Sequence, residues 1–159
     1  MIILGIDPGL ERVGWGIVES KENKLSYRTS GCIKTSRALT TTERISIIAE
    51  EIAKIVRGQK PDEAVVERLF FAKNKKTALL VSEARGAIML TLHSLGVQTR
   101  EYTPLAVKLA ITGNGRAEKR QVAWVVKRVL KIDHNIGSDD ELDALALCML
   151  GGQKVIHNA

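Results

Sequence analysis

Ile2-Ile3-Leu4-Gly5-Ile6-Asp7-Pro8-Gly9 is the stretch from which the fold can be read. Ile2 to Ile6 is a short aliphatic run of the length that suits a buried strand, and Asp-Pro-Gly is turn chemistry. Val13 to Val18 resumes as a second strand, whose Gly14 and Gly16 predict that another backbone or a ligand comes close. Leu25 to Lys34, with Tyr27, Thr29, Cys32 and Ile33, reads as a third. Links this short join antiparallel neighbours, so the chain opens as a meander.

The period then changes from two to that of a helix. Thr40 and Glu43 have capping-box spacing, and Ile45, Ile48, Ile52 and Ile55 form an apolar stripe that Arg57-Gly58 ends. Asp62 to Glu67 encloses Ala64-Val65-Val66, a fourth, buried strand. Lys75 to Leu95 is a long helix closed by Gly96, and Val97 to Tyr102 is a fifth strand. Thr103 before Pro104 is an N-cap with Pro at N1, opening a short helix that stops near Gly113. After the basic loop Gly113-Asn114-Gly115-Arg116, Val122, Val125, Val126, Val129 and Leu130 recur on one helical face. Ser138 and Glu141 form a second capping box, opening a last helix with Leu142, Leu145, Ala146 and Met149 as its buried stripe. The expectation is an α/β fold with a five-stranded mixed sheet, an antiparallel meander followed by parallel strands, flanked by helices.

The chain has 159 residues, 45% of them hydrophobic and 26% charged, with no repeat, low-complexity segment or linker. Residues 1–159 are therefore expected to form a single domain, large enough to bury roughly two-thirds of its unfolded surface without disulfide or structural metal. The net charge of +6 favours a polyanionic partner, nucleic acid first and an acidic membrane surface second. Aromatic residues are only 4%, too few for rows of rings that stack single-stranded bases. Cys32 and Cys148 are too far apart for a metal motif and read as buried free thiols of a reducing compartment, which points to the cytoplasm. The start has no basic leader, and no apolar run approaches the roughly 18 residues a membrane span needs. His93, His134 and His157 accompany no strained nucleophile turn, which removes a Ser-His-Asp hydrolase from consideration.

The acids carry the chemistry. Asp7 ends an aliphatic strand, where a carboxylate must be solvated, hydrogen-bonded or bound to a cation; an Asx-type turn would explain it as well. Glu67 repeats the situation, between Ala64-Val65-Val66 and Leu69-Phe70-Phe71. Asp140 and Asp143 are three residues apart and share one face of the last helix. Acids in a first turn also stabilise the helix dipole, which accounts for Asp139 and Glu141 but poorly for Asp143, set against a run of Ala and Leu. Oxygen-only ligands suit Mg²⁺ or Mn²⁺, and two such ions about 3.5–4 Å apart stabilise both the attacking and the leaving oxygen in phosphodiester cleavage.

Together, Gly5-Ile6-Asp7-Pro8-Gly9, Gly14-Trp15-Gly16 and Val66-Glu67 leading to Phe70-Phe71-Ala72-Lys73-Asn74 resemble the RuvC family of crossover-junction endodeoxyribonucleases, the Holliday junction resolvases. Ser82-Glu83-Ala84-Arg85-Gly86, Val107-Lys108, Gly115-Arg116-Ala117-Glu118-Lys119 and Asp140-Glu141-Leu142-Asp143-Ala144-Leu145-Ala146 continue the likeness over nearly the whole chain. The resemblance implies an RNase H-like fold and a homodimer acting on four-way junction DNA during recombination and repair. It implies paired Mg²⁺-dependent nicks leaving 5′-phosphate and 3′-hydroxyl ends, and cooperation with the RuvA–RuvB branch-migration complex.

The family's acidic tetrad falls on Asp7, Glu67, Asp140 and Asp143. Asp139 with Asp143 is an alternative that helix geometry permits and the Asp-x-x-Asp-Ala-Leu-Ala pattern disfavours. Lys108 and Lys119 resemble the family's active-site lysines, and Phe70 its aromatic that meets DNA bases, with Phe71 beside it as core. Lys73, Lys75, Lys76 and Arg116 are candidate phosphate contacts, against the alternative of a solvated basic run. Arg68 and Leu69 depart from the pattern at positions that bear on sequence preference.

Two other readings compete. A related nuclease of the YqgF type, acting on precursor ribosomal RNA, shares the opening motif but not the Phe70-to-Asn74 and Gly115-to-Lys119 segments. A non-enzymatic junction binder would not need four acids, and an actin-like ATPase, which shares the Gly-Ile-Asp opening, needs a much longer chain.

Overall fold

The computed structural model describes residues 1–68 and 75–151, with side chains omitted for 75–77. Five strands, β1 (Ile2–Asp7), β2 (Arg12–Lys21), β3 (Lys24–Lys34), β4 (Glu63–Glu67) and β5 (Gln98–Tyr102), form one sheet in the order β3-β2-β1-β4-β5. The meander β1-β2-β3 is antiparallel, while β4 and β5 add in parallel on the other side of β1. This is the mixed sheet expected from the sequence. The β2–β3 link is tighter than expected: Glu22 and Asn23, both with positive φ, turn the chain over two residues.

Helices cover both faces. α1 (Thr41–Gln59) and α2 (Lys75–Ser94) lie on one; α3 (Pro104–Thr112), α4 (Lys119–Val129) and α5 (Asp139–Cys148) lie on the other. Alternation along the strands assigns the side chains. Leu4, Ile6, Ala64 and Val66 pack with Ile48, Ile52, Ala84, Ile88 and Leu92 under α1 and α2. Ile3 and Val65 point the other way, to Val107, Val122, Val126, Leu145 and Leu147. Fully burying each such Leu or Ile contributes roughly 1.5–3 kcal/mol, so each face has its own substantial core. Among the described residues no helix is long and apolar enough to cross a membrane.

The expected caps form at Thr40, whose side chain and that of Glu43 bond each other's backbone reciprocally, and at Thr103 with Pro104 at N1. Several local expectations need correction. α1 does not stop at Arg57-Gly58; it runs to Gln59, and Lys60 takes the left-handed cap, its N–H donating to the Val56 carbonyl. Of the predicted stripe Val122, Val126 and Leu130, the last at the C-cap of α4, are buried, while Val125 is only partly buried and Val129 is 43% exposed. Cys148 is buried, but Cys32 is only half-buried. The Ser138–Glu141 box is one-sided: Ser138 Oγ accepts from the Glu141 N–H, while the Glu141 carboxylate bonds the Ser138 hydroxyl rather than its backbone N–H.

The glycines of β1 and β2 set how closely α5 lies on the sheet. Gly5 pairs with Gly16, and Gly14 with Asp7, in the β1–β2 register. A Cβ on Gly5 would stand 1.9 Å from the Ala144 carbonyl oxygen, one on Gly14 2.0 Å from that of Asp140, and one on Gly16 2.7 Å from the Leu145 side chain. The close backbone approach predicted for Gly14 and Gly16 is thus made by α5, the helix that carries the acid pair, and no side chain fits beneath it.

Candidate active site

Asp7 and Glu67 come together through register and alternation. β1 and β4 run parallel with Ile6 opposite Val66, so the next residues, Asp7 and Glu67, end adjacent strands side by side. Counting in twos from Ile3 and Val65 puts both acids on the face covered by α3, α4 and α5. Arg85 secures the end of β4: its Nε donates to the Glu67 carbonyl oxygen at 3.2 Å and its Nη2 to Glu101 at 2.5 Å.

α5, pressed onto the glycine strip, brings Asp143 to the same point. A cavity of about 320 Å³ opens there, lined by Asp7, Glu67, Asp143, Lys108, Lys119 and the apolar Pro104, Val107, Val122 and Ala146. The electrostatics follow from that crowding. Asp7 is pushed up to about 8, first by burial and then by the negative charges of Glu67, Asp143 and Asp140, with Lys119 opposing. Glu67 is raised for the same first reason, with Asp143 adding, while Lys119 and a hydrogen bond from Asp7 pull it down. Burial and mutual repulsion thus favour the protonated form of both acids in the metal-free cluster, and Lys119 opposes this.

The other two acids each face a base. Lys119 Nζ donates to Asp143 Oδ2 at 2.8 Å, and that bond is the main reason the Lys119 ammonium is held above its usual range. Arg12 Nε donates to Asp140 Oδ2 at 2.5 Å, and Cys32 Sγ lies 3.9 Å from the same oxygen. Asp140 is near enough to raise Asp7 electrostatically, yet it stands apart from the cavity lining, turned toward β2 and β3. Among the described residues no three His, Cys, Asp or Glu side chains stand in metal-holding geometry. The arrangement accounts for this: Asp140 and Asp143 are engaged by cations of the protein itself. The donor chemistry nevertheless fits a hard divalent ion, since every candidate ligand is a carboxylate and Asp7 and Glu67 lack a full counter-charge.

Of the other expected residues, Lys108 lines the cavity, whereas Arg116 is exposed on its loop and outside that lining. Phe70, Phe71 and Lys73 lie outside the described residues, as do the side chains of Lys75 and Lys76. Asp139 is exposed and lines a neighbouring pocket with Lys119 and Asp143. Glu141, expected merely to favour the helix dipole, is buried: Ser30 Oγ donates to its Oε2 at 2.9 Å and Ser138 Oγ to its Oε1 at 3.2 Å, tying the first turn of α5 to β3. Sequence reasoning passed over Arg12, Ser30 and this role of Glu141. The signal available for Glu141 was its place inside the Asp140–Asp143 motif; Arg12 and Ser30 have none outside the fold.

The comparisons agree with this geometry. The family model described as crossover junction endodeoxyribonuclease RuvC matches residues 3–150. The Borrelia turicatae protein of that name is 47% identical over 154 residues, covering 96% of each chain. Thermus thermophilus RuvC superposes with a TM-score of 0.86 at 30% identity, over 94% of this chain and 92% of the other. The same enzyme solved in complex with a Holliday junction substrate gives 0.87 at 30% identity, over 94% and 91%. An RNase H-like sheet with acids gathered at the ends of β1 and β4, a family model spanning both cores, and a near-full-length relative together place this chain in the RuvC family of crossover junction endodeoxyribonucleases.

Proposed function

We propose that this chain is a structure-selective DNA endonuclease that resolves four-way junctions, as a single nuclease domain working in homodimers in the cytoplasm. The observation that carries the reading is the cavity where Asp7, Glu67 and Asp143 meet Lys108 and Lys119. Paired nicks in strands of like polarity, 5′-phosphate and 3′-hydroxyl ends, and work beside RuvA–RuvB follow from family membership.

Asp7, Glu67, Asp140 and Asp143 would hold Mg²⁺, or Mn²⁺ in its place, with two ions per site. The ions supply Lewis-acid stabilisation of the attacking and leaving oxygens of the phosphodiester. The protein supplies the rest. Val107, Val122, Pro104 and Ala146 also line the cavity, and these apolar groups lower the local dielectric and strengthen the charges beside them. Lys119 and Lys108 stand beside the acids, where negative charge builds on the phosphate in the transition state. Arg116, with Phe70, Lys73, Lys75 and Lys76, is assigned to DNA contact from the family pattern.

The deciding experiment is incubation of the purified protein with a synthetic four-way junction, in Mg²⁺ and in EDTA. Paired symmetric nicks in Mg²⁺ alone are expected. Cleavage of structured RNA in preference to the junction would favour the YqgF-type reading, and binding without cleavage would favour a junction binder. The same assay separates the two acid registers: Asp139→Asn should keep most of the activity, and its loss would shift the tetrad to Asp139.

α2 supports the dimer. Ala84 is fully buried against the sheet and cannot meet a partner, but Gly86 is exposed and Leu79 and Leu90 are 62% and 66% exposed. Residues 79, 83, 86 and 90 follow helical spacing, which gives α2 an outward stripe with two large apolar side chains. Leu90→Glu should convert a dimer to a monomer in light scattering at micromolar concentration. A wild-type monomer that still cuts both strands in one encounter would contradict the dimer.

A further inference from the structure

We infer that Arg12 is an internal counter-cation that competes with the divalent ion for Asp140, so that loading the site requires breaking the Arg12–Asp140 ion pair. The inference rests on the metal-dependent reading above and adds a residue to which no role was assigned.

Three observations converge. Arg12, at the first position of β2, donates through Nε to Asp140 Oδ2 at 2.5 Å, across 128 residues of sequence. This pair turns Asp140 toward β3, where Cys32 Sγ lies 3.9 Å from the same oxygen, and away from the cavity that Asp7, Glu67 and Asp143 line. The Asp140 backbone is closely packed on the sheet: a Cβ on Gly14 would stand 2.0 Å from the Asp140 carbonyl oxygen. Bringing Asp140 toward Asp7 therefore falls to its carboxylate, whose rotation draws Oδ2 away from the Arg12 Nε–H.

The pair has a clear use in the metal-free protein. Asp7, Glu67 and Asp143 crowd together with Asp140 nearby, and Lys119 and Arg12 neutralise Asp143 and Asp140. A divalent ion must displace that neutralisation at Asp140. Arg12 is 45% exposed and Asp140 29% exposed, so the pair is screened and its competition is modest. A guanidinium released beside the site is also a ready partner for a phosphate, which it binds through paired hydrogen bonds.

The test is calorimetric titration of the wild-type protein, Arg12→Gln and Arg12→Lys with Mn²⁺ and separately with Ca²⁺, without DNA. Arg12→Gln should bind the ion about two- to fivefold more tightly, the range expected for removing one partly exposed ion pair, and should show a larger metal-induced rise in Tm. Arg12→Lys, which keeps the charge, should fall between Gln and wild type. Unchanged or weaker binding by Arg12→Gln, with wild type binding normally, overturns the inference and leaves the metal-dependent reading intact. No binding by wild type overturns both. A measurement on the unmutated protein covers the case of a variant that does not fold: the Arg12 Nε–H proton resonance should move on adding Ca²⁺ with the calorimetric midpoint. A resonance that stays still through saturation means that the pair survives loading, which also overturns the inference.

Discussion

Asp7→Asn is expected to reduce junction nicking in Mg²⁺ by on the order of a thousandfold while leaving junction binding in Ca²⁺ close to wild type. The amide keeps the shape of the strand end and removes the charge at the centre of the acid cluster. Binding rests on Lys and Arg contacts to phosphate, which the substitution does not touch. Near-normal nicking by the purified variant would remove Asp7 from the catalytic assignment.

The same substitution carries a second signature, measurable without DNA. Asp7 is raised from 3.8 to about 8, by burial first and by its acidic neighbours next. Between those values the native protein binds a proton that the unfolded chain does not. The resulting stabilisation is fully present below about pH 4 and is lost as pH rises through about pH 8. Metal-free wild-type protein should therefore lose stability from pH 5 to pH 8.5, and Asp7→Asn should flatten that profile. At the alkaline end the variant should be more stable by on the order of a few kcal/mol, read by urea denaturation in EDTA. A variant less stable than wild type at pH 8.5 would mean that the acid cluster is not repulsive.

Lys119→Ala is expected to lower the single-turnover cleavage rate by on the order of 100-fold and to change junction affinity little. Lys119 opens α4, where a cation is mildly disfavoured by the helix dipole unless a negative group compensates. In the structure the compensation is Asp143, 2.8 Å away, and Lys119 also lowers both Asp7 and Glu67. Its removal therefore leaves three acids less compensated and takes a positive charge from the cavity where the phosphate would react. Losing one phosphate contact should reduce the salt slope of binding by only about one unit. The measurement is cleavage at saturating enzyme beside a binding series over salt in Ca²⁺. Equal losses in rate and affinity would make Lys119 an ordinary backbone contact.

Local repetition is what the sequence alone determined. Short aliphatic runs at Ile2–Ile6 and Ala64–Val66 define buried strands with an acid at the end of each. The 3.6-residue period and the caps at Thr40 and Thr103 define helices, because each depends on residues no more than a few positions apart. Helical spacing put Asp140 and Asp143 on one face, and family likeness joined them to Asp7 and Glu67. Glycines at positions 14 and 16 announced a close approach without naming what approaches.

Tertiary structure decided the rest. It chose α5 as the element over those glycines, Arg12 as the partner of Asp140, Asp143 as the partner of Lys119, and Ser30 as a clamp on Glu141. It also carried α1 past Gly58 to Lys60 and left Val129 in solvent. The physical reason is range. An ion pair or a backbone approach between groups up to 128 residues apart is set by how two layers stack. A charged side chain in sequence does not state which of several nearby opposite charges it will meet once those layers close.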